Sequence, residues 1–386
     1  MVFRHHASSN AAGALCLLTA LVTLAARGSS SAPRRGRSGA GFVGALLLAI
    51  VLLASACHSA GAPTFGPLPD LRLSGVTKIP GISELEQRIN VHDILSMTTY
   101  TPSSSAGRRA RILFSLGGTI YDVGLDGADL HSLGGTCPHP DSVSTDGRWL
   151  ICNPGAGIRL MDLRLGGEGA ALHLSPTGIT GFQSPAWAPD GRQLAVMTSE
   201  PEPCTIAIYA VVPEHATATR TAQLTLPQFA TSGPTGAACG AGELAWSPDG
   251  AWLSFVDITA QSTAYAVPLA KALARTRPTD GIPTVELTAD LLMTAAIDIR
   301  PNSAPVWSPV ADTLTFVSRD GESIREVNVR TGEQRTLLTQ RVADIFAVSW
   351  TPDGQHLVFV LGLGHDENLP PPAQIYVYTP PAEQPR

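Results

Sequence analysis

The residues able to do chemistry fall into two groups, thiols and carboxylates with histidines. Cys137, Cys152, Cys204 and Cys239 form an even set, which in an exported chain favours disulfides. No Cys-x-x-Cys pair occurs, and that counts against a thiolate metal site. The second group is His139 and Asp141; Glu200 and Glu202; Asp257; Arg319 and Asp320; and His365, Asp366 and Glu367. Carboxylates beside His suit Ca²⁺ or a basic peptide. Their spacing matches neither an EF-hand nor a zincin helix, so the reading as solvated loop residues stays open. Two acids about 5–10 Å apart could also serve a glycosidase, and nothing singles out a pair. No catalytic residue and no cofactor other than Ca²⁺ is expected.

The elements that must position these residues are repeats. LAWSPDGAWLSFVD at Leu244–Asp257 recurs as PAWAPDGRQLAVM from Pro185 and VSWTPDGQHLVFV from Val348. A degraded PVWSPVADTLTFV begins at Pro305, and SVSTDGRWLIC, without Trp, at Ser142. Each copy reads as a β-hairpin: β-branched and aromatic runs flank an Asp-Gly reversal. Trp187, Trp246, Trp307 and Trp350 are large apolar groups for packing between neighbouring sheets; a ligand-stacking surface is the alternative. The turn residues Asp146, Asp190, Asp249, Asp312 and Asp353 are separated by 44, 59, 63 and 41 residues. Repeats of about 40–50 residues with four short strands each are the signature of a β-propeller. The class is therefore all-β, with six four-stranded antiparallel blades, or seven if 282–304 hides another sheet. A strand at 71–76 is expected to complete the last blade, which removes an open edge.

The W-S-P-D-G hairpins, followed by Ile-Tyr-type third strands (Thr119–Val123, Ile206–Tyr209, Ile375–Tyr378), resemble the TolB-like β-propeller repeat family over about 92–380. The resemblance implies fold rather than function. The stretch ahead of the repeats is too short for the α/β domain that precedes the propeller in TolB. No hydrolase domain or Gly-x-Ser-x-Gly elbow of the prolyl-oligopeptidase type follows.

Alternating strand directions put the loop entering each blade and the loop between its second and third strands at one end of the ring. All four cysteines then share the end opposite the Asp-Gly turns, with Cys137 paired to Cys152 and Cys204 to Cys239. The same end carries the acids and histidines named above and is the candidate binding face.

Met1–Ala56 holds five Arg and no acidic residue. Its apolar stretches, Ala11–Ala26 and Gly41–Ala56, are about 16 residues each, short of the roughly 20 that span a bilayer. Arg34, Arg35 and Arg37, the second stretch and Leu-Ala-Ser-Ala make a secretory signal. With Cys57 behind it, the site resembles the lipobox of bacterial lipoproteins, which implies lipidation of Cys57. The first apolar stretch fits this poorly, and the true start is expected downstream of Met1.

The organisation expected is thus 1–56 signal, 57–69 tether, 70–380 propeller and 381–386 tail. Losing five of 26 basic residues leaves 21 against 32 acidic ones, a net charge of −11. Nucleic acid, which needs clustered Lys and Arg, is excluded as a partner. The function expected is an extracytoplasmic, lipid-anchored, non-catalytic binding or scaffold module for an envelope protein or peptide. An enzyme or cation- or glycan-binding propeller using the channel mouth is the alternative.

Overall fold

The computed structural model divides the chain at Thr64, and the second unit, Phe65–Arg386, is compact. It describes residues 71–82, 84–85, 94–103, 109–137, 140–152, 157–175, 183–198, 204–233, 236–257, 263–300, 303–362 and 373–381, all in the second unit. Among them no helix is long and apolar enough to cross a membrane.

The chain opens with β1 (Val76–Lys78), then folds as successive meanders. The first is β2 (Ile94–Tyr100), β3 (Arg111–Leu116), β4 (Thr119–Gly124) and β5 (His131–Thr136). The second is β6 (Pro140–Val143), β7 (Trp149–Cys152), β8 (Arg159–Asp162) and β9 (Ala170–Ala171). After β10 (His173–Ser175) the third begins: β11 (Gln183–Trp187), β12 (Gln193–Thr198), β13 (Thr205–Val212) and β14 (Thr217–Thr225). A separate hairpin, β15 (Ala230–Gly233) and β16 (Gly236–Cys239), leads into β17 (Ala241–Trp246), β18 (Trp252–Asp257) and β19 (Thr263–Pro268). A short helix, Leu269–Leu273, and the hairpin β20 (Arg277–Thr279) and β21 (Ile282–Glu286) intervene before the fourth strand of that sheet, β22 (Met293–Ala296). The fifth meander is β23 (Val306–Trp307), β24 (Thr313–Val317), β25 (Ser323–Asn328) and β26 (Gln334–Thr339). The last is β27 (Asp344–Trp350), β28 (Leu357–Gly362) and β29 (Ala373–Tyr378).

The first strands contact one another in the order β2, β6, β11, β17, β23, β27 and back to β2, which closes a propeller ring. Apolar clusters sit between every neighbouring pair of sheets. Ile112 and Phe114 pack on Val358 and Ile375 where the ends of the chain meet, and Leu224 and Leu226 pack on Leu253 and Phe255 half a turn away. Here β1 pairs antiparallel with β29, Val76 opposite Tyr378, as the fourth strand of the last blade. It lies at Val76–Lys78, later than the 71–76 expected, because Leu71 and Leu73 instead pack on the apolar cluster of that blade.

The expectation of six four-stranded blades needs correction. Five sheets have four strands, whereas β11–β14 belong to a seven-stranded sheet. Its extra strands come from both neighbours: β10 lies parallel to β14 at Thr217–Thr219, and β21 lies parallel to it at Gln223–Thr225. They cover an outer edge that would otherwise offer unpaired backbone groups. The region 282–304 therefore holds no seventh sheet among the described residues; it supplies β21 to one sheet and β22 to the next.

Local chemistry explains the turns. Ser247 Oγ donates to Asp249 Oδ1 (2.6 Å), the Ala251 N–H donates to the same carboxylate oxygen (3.0 Å), and the Trp252 N–H donates to Ser247 Oγ (2.8 Å). Gly250 takes φ +70°, a conformation that penalises a Cβ. The same circuit is built at Ser144–Asp146 and at Thr351–Asp353. At Asp190 the first residue is Ala188, so only the backbone half remains, from Arg192 and Gln193.

Candidate functional site

The cysteines pair as Cys137–Cys152, with Cα atoms 5.4 Å apart, and Cys204–Cys239, 4.6 Å apart. Cys152 ends β7 and Cys137 precedes β6, so the first bridge closes one hairpin. The second joins the loop after β12 to the end of β16, tying the seven-stranded sheet to the separate β15–β16 hairpin that leads into β17. Both bridges are buried.

Of the acids and histidines read from the sequence, His139, Glu200, Glu202, His365, Asp366 and Glu367 lie outside the described residues, as does Cys57. Asp141 sits in β6 at a register shift between Pro140 and Ser142. Asp257 ends β18 opposite Ala241. Burial first, and Asp257 second, push the Tyr265 hydroxyl above its ordinary pKa. Arg319 pairs with Asp298. Asp320 is engaged in structure: Ser318 Oγ donates to its Oδ1 (2.6 Å), the Glu322 N–H donates to it (2.9 Å), and the Ser323 N–H donates to Ser318 Oγ (2.9 Å). That is the Asp-Gly turn circuit again, now between second and third strands. Among the described residues no three His, Cys, Asp or Glu converge as a metal site.

The tryptophans divide. Trp187 and Trp307 are buried, while Trp246 and Trp350 are partly covered. Three indoles donate to the preceding sheet: Trp246 to Ala186 O (3.1 Å), Trp307 to Ser254 Oγ (2.9 Å) and Trp350 to Thr315 Oγ1 (2.8 Å).

Two features escaped the sequence reading. The first is Glu243, on the inner edge strand β17, within the register shift between Gly242 and Ala245. Its backbone is left-handed (φ +54°) and its N–H donates to Ser184 Oγ (2.9 Å), itself in a left-handed residue of β11. Burial alone raises its carboxyl above the ordinary Glu value. Part of the residue still reaches the surface, as fits a group on the inner wall of a ring. The signal available was a charged residue three places before the repeat Trp, where the other copies carry Ser, Ala or Pro.

The second is a cleft of about 880 Å³ between the seven-stranded sheet and the β17–β19/β22 sheet. Its rim is made by the turns Ala188–Asp190 and Pro248–Gly250, so it opens at the Asp-Gly end, opposite the candidate face. The Trp246 indole, Leu269 and Leu273 of the short helix, and Pro283 of β21 form its walls. Leu273 is 38% exposed.

No family model matches the chain, and no curated protein matches it. Among solved structures it is similar to a putative TolB from Agrobacterium tumefaciens, at 17% identity and a TM-score of 0.43 over 64% of this chain and 78% of that one. It is also similar to an oligogalacturonate lyase in complex with manganese, at 13% identity and 0.44 over 83% and 96%. A mitotic checkpoint complex gives 15% identity and 0.38 over 78% and 80%. Likenesses this distant add nothing on function, and the propeller assignment stands on the sheet topology itself.

Proposed function

We propose that the protein is an extracytoplasmic, lipid-anchored propeller that serves as a non-catalytic binding or scaffold module for a protein or peptide of the cell envelope. The observation that carries the address is the pair of buried disulfides, a bond type kept in oxidising compartments and rare in the cytosol. Acylation of Cys57 supplies the anchor, and a tether at 57–69 separates it from the ring. The ring counts six blades, with β11–β14 as an enlarged third. The module reading draws support from how the repeat residues are used: the Asp carboxylates close turns within their own hairpins and the Trp246, Trp307 and Trp350 N–H groups bond to the preceding sheet, a scaffold that carries recognition on its loops and clefts.

The test is a pull-down from solubilised envelope with the full chain and a variant carrying Ala at Asp141, Asp257 and Asp366. Asp320 stays unchanged because its carboxylate closes a turn. A partner held by the native protein and lost by the variant supports the module. No partner, together with thermal stabilisation by Ca²⁺ or glycans, overturns it in favour of the small-ligand reading. In parallel, radiolabelled palmitate should enter the native chain and not Cys57→Ser.

A further inference from the structure

We propose that the cleft at the Asp-Gly end, between the seven-stranded sheet and its β17–β19/β22 neighbour, receives an extended segment of a partner protein in which an apolar residue stands next to a Lys or Arg. This site lies at the end of the ring opposite the candidate face and so goes beyond the binding-module reading, on which it rests.

Three observations carry it. The first is the apolar wall: Trp246 turns its N–H inward to Ala186 O, so the indole ring lines the cleft beside Leu269 and Leu273. Leu273, a large apolar side chain at 38% exposure, stands at that wall without cover. Aromatic and aliphatic groups in a recess are what anchors a partner's apolar residue.

The second is charge. Asp190 and Asp249 line the cleft, and among the described residues no Lys or Arg does. The Ser247 hydroxyl and the Ala251 N–H hold the Asp249 carboxyl below the ordinary Asp value, with a smaller contribution from Arg330 nearby, so it stays ionised. Those bonds engage Oδ1 and leave Oδ2 outside the turn circuit. The nearby cations are bonded elsewhere: Lys271 of the short helix donates through Nζ to Asp290 O (2.9 Å), and Arg275 just beyond the helix donates to the Asp290 carboxylate (2.6 Å). A negative rim next to an apolar wall selects a cationic side chain flanked by an apolar one.

The third is rigidity. The two sheets that form the cleft are joined by the Glu243–Ser184 and Trp246–Ala186 hydrogen bonds and by β21, which the chain lays on β14 between β19 and β22, while Cys204–Cys239 fixes the β15–β16 hairpin that leads into β17. Pro189, Pro248 and Pro283 stiffen its walls. A preformed recess spends little binding energy on ordering itself, and a recess of about 880 Å³ rimmed by two turns admits side chains of an extended segment rather than a folded surface.

The experiment uses the full chain and two fluorescein-labelled decapeptide pools, with fixed Leu-Arg or fixed Leu-Glu at the centre and mixed residues elsewhere, read by anisotropy. The Leu-Arg pool should bind about tenfold or more tightly than the Leu-Glu pool and weaken with added salt. Leu273→Lys and, independently, Ala270→Arg place a cation at the wall on exposed positions, so the fold stands. Each should reduce binding about tenfold or more by charge repulsion and filling. Equal binding of the two pools, no binding of either, or native-like binding by both variants overturns the assignment. An envelope partner captured equally by the native chain and Leu273→Lys also removes the cleft, while the module reading survives; loss of envelope capture altogether removes both.

Discussion

The Trp350 indole N–H donates to Thr315 Oγ1 across 2.8 Å, tying the last blade to the one before it. Thr315 stands eight residues after Trp307, and Ser254 stands eight after Trp246 and receives Trp307 in the same way. One sequence position thus supplies the acceptor for the next repeat's Trp. At the corresponding place in β7 stands Ile151, which has no hydroxyl, and the Trp187 N–H of the next sheet has no partner among the described residues.

Thr315→Val keeps the shape and deletes the acceptor. Because Thr315 is fully buried, leaving the Trp350 N–H unpaired should cost about 1–3 kcal/mol. The unfolding midpoint in urea measures it. In a double-mutant cycle Trp350→Phe should cost measurably less in the Thr315→Val background than in the native one. An additive cycle means that the bond contributes nothing.

The Cys204–Cys239 bridge closes a loop with a sequence separation of 35, from the residue before β13 to the end of the β15–β16 hairpin. By loop-closure entropy, replacing both residues by Ser should lower stability by about 3–4 kcal/mol. Reducing agent should lower the melting temperature of the native chain and leave a variant lacking both bridges unchanged. A native chain indifferent to reductant would mean that the thiols are unpaired in solution.

The ring was legible in the sequence because its determinants are local: Ser-Pro-Asp-Gly with a Trp two residues earlier than the Pro specifies turn and packing within one hairpin. The enlarged sheet was not. Pairing of β21 with β14 joins residues about 60 apart, and the sequence, which leaves 282–304 open as a further sheet, carries no mark naming a partner strand for it. Asp320 shows the converse. Ser318-Arg319-Asp320-Gly321 carries the turn signature without Trp or Pro, so its carboxylate looked available for binding although it is closing a turn. The cleft was invisible for a further reason: Trp246 and Leu273 meet only after the helix insertion folds back over the neighbouring sheet.

Glu243 gives the sharpest pH prediction. Burial raises its carboxyl above the value of an unfolded Glu, so between those two values the folded state holds a proton that the unfolded chain releases. Stability from this residue is then greatest below the unfolded value and falls as pH rises toward the folded one, the reverse of a salt-bridged acid. Asp162 behaves oppositely: the Arg164 and Arg148 guanidiniums hold it down to about 2, so its contribution is full above the unfolded Asp value and is lost on acidification toward pH 2. Glu243→Gln removes the ionised form while keeping the shape. It should melt higher than the native chain at pH 7, with the gap closing as pH falls through the unfolded Glu value, about 4.3. If the Glu243→Gln variant melts lower at pH 7, the buried carboxylate is favoured rather than penalised by its surroundings, and the direction of the pH dependence argued here is wrong.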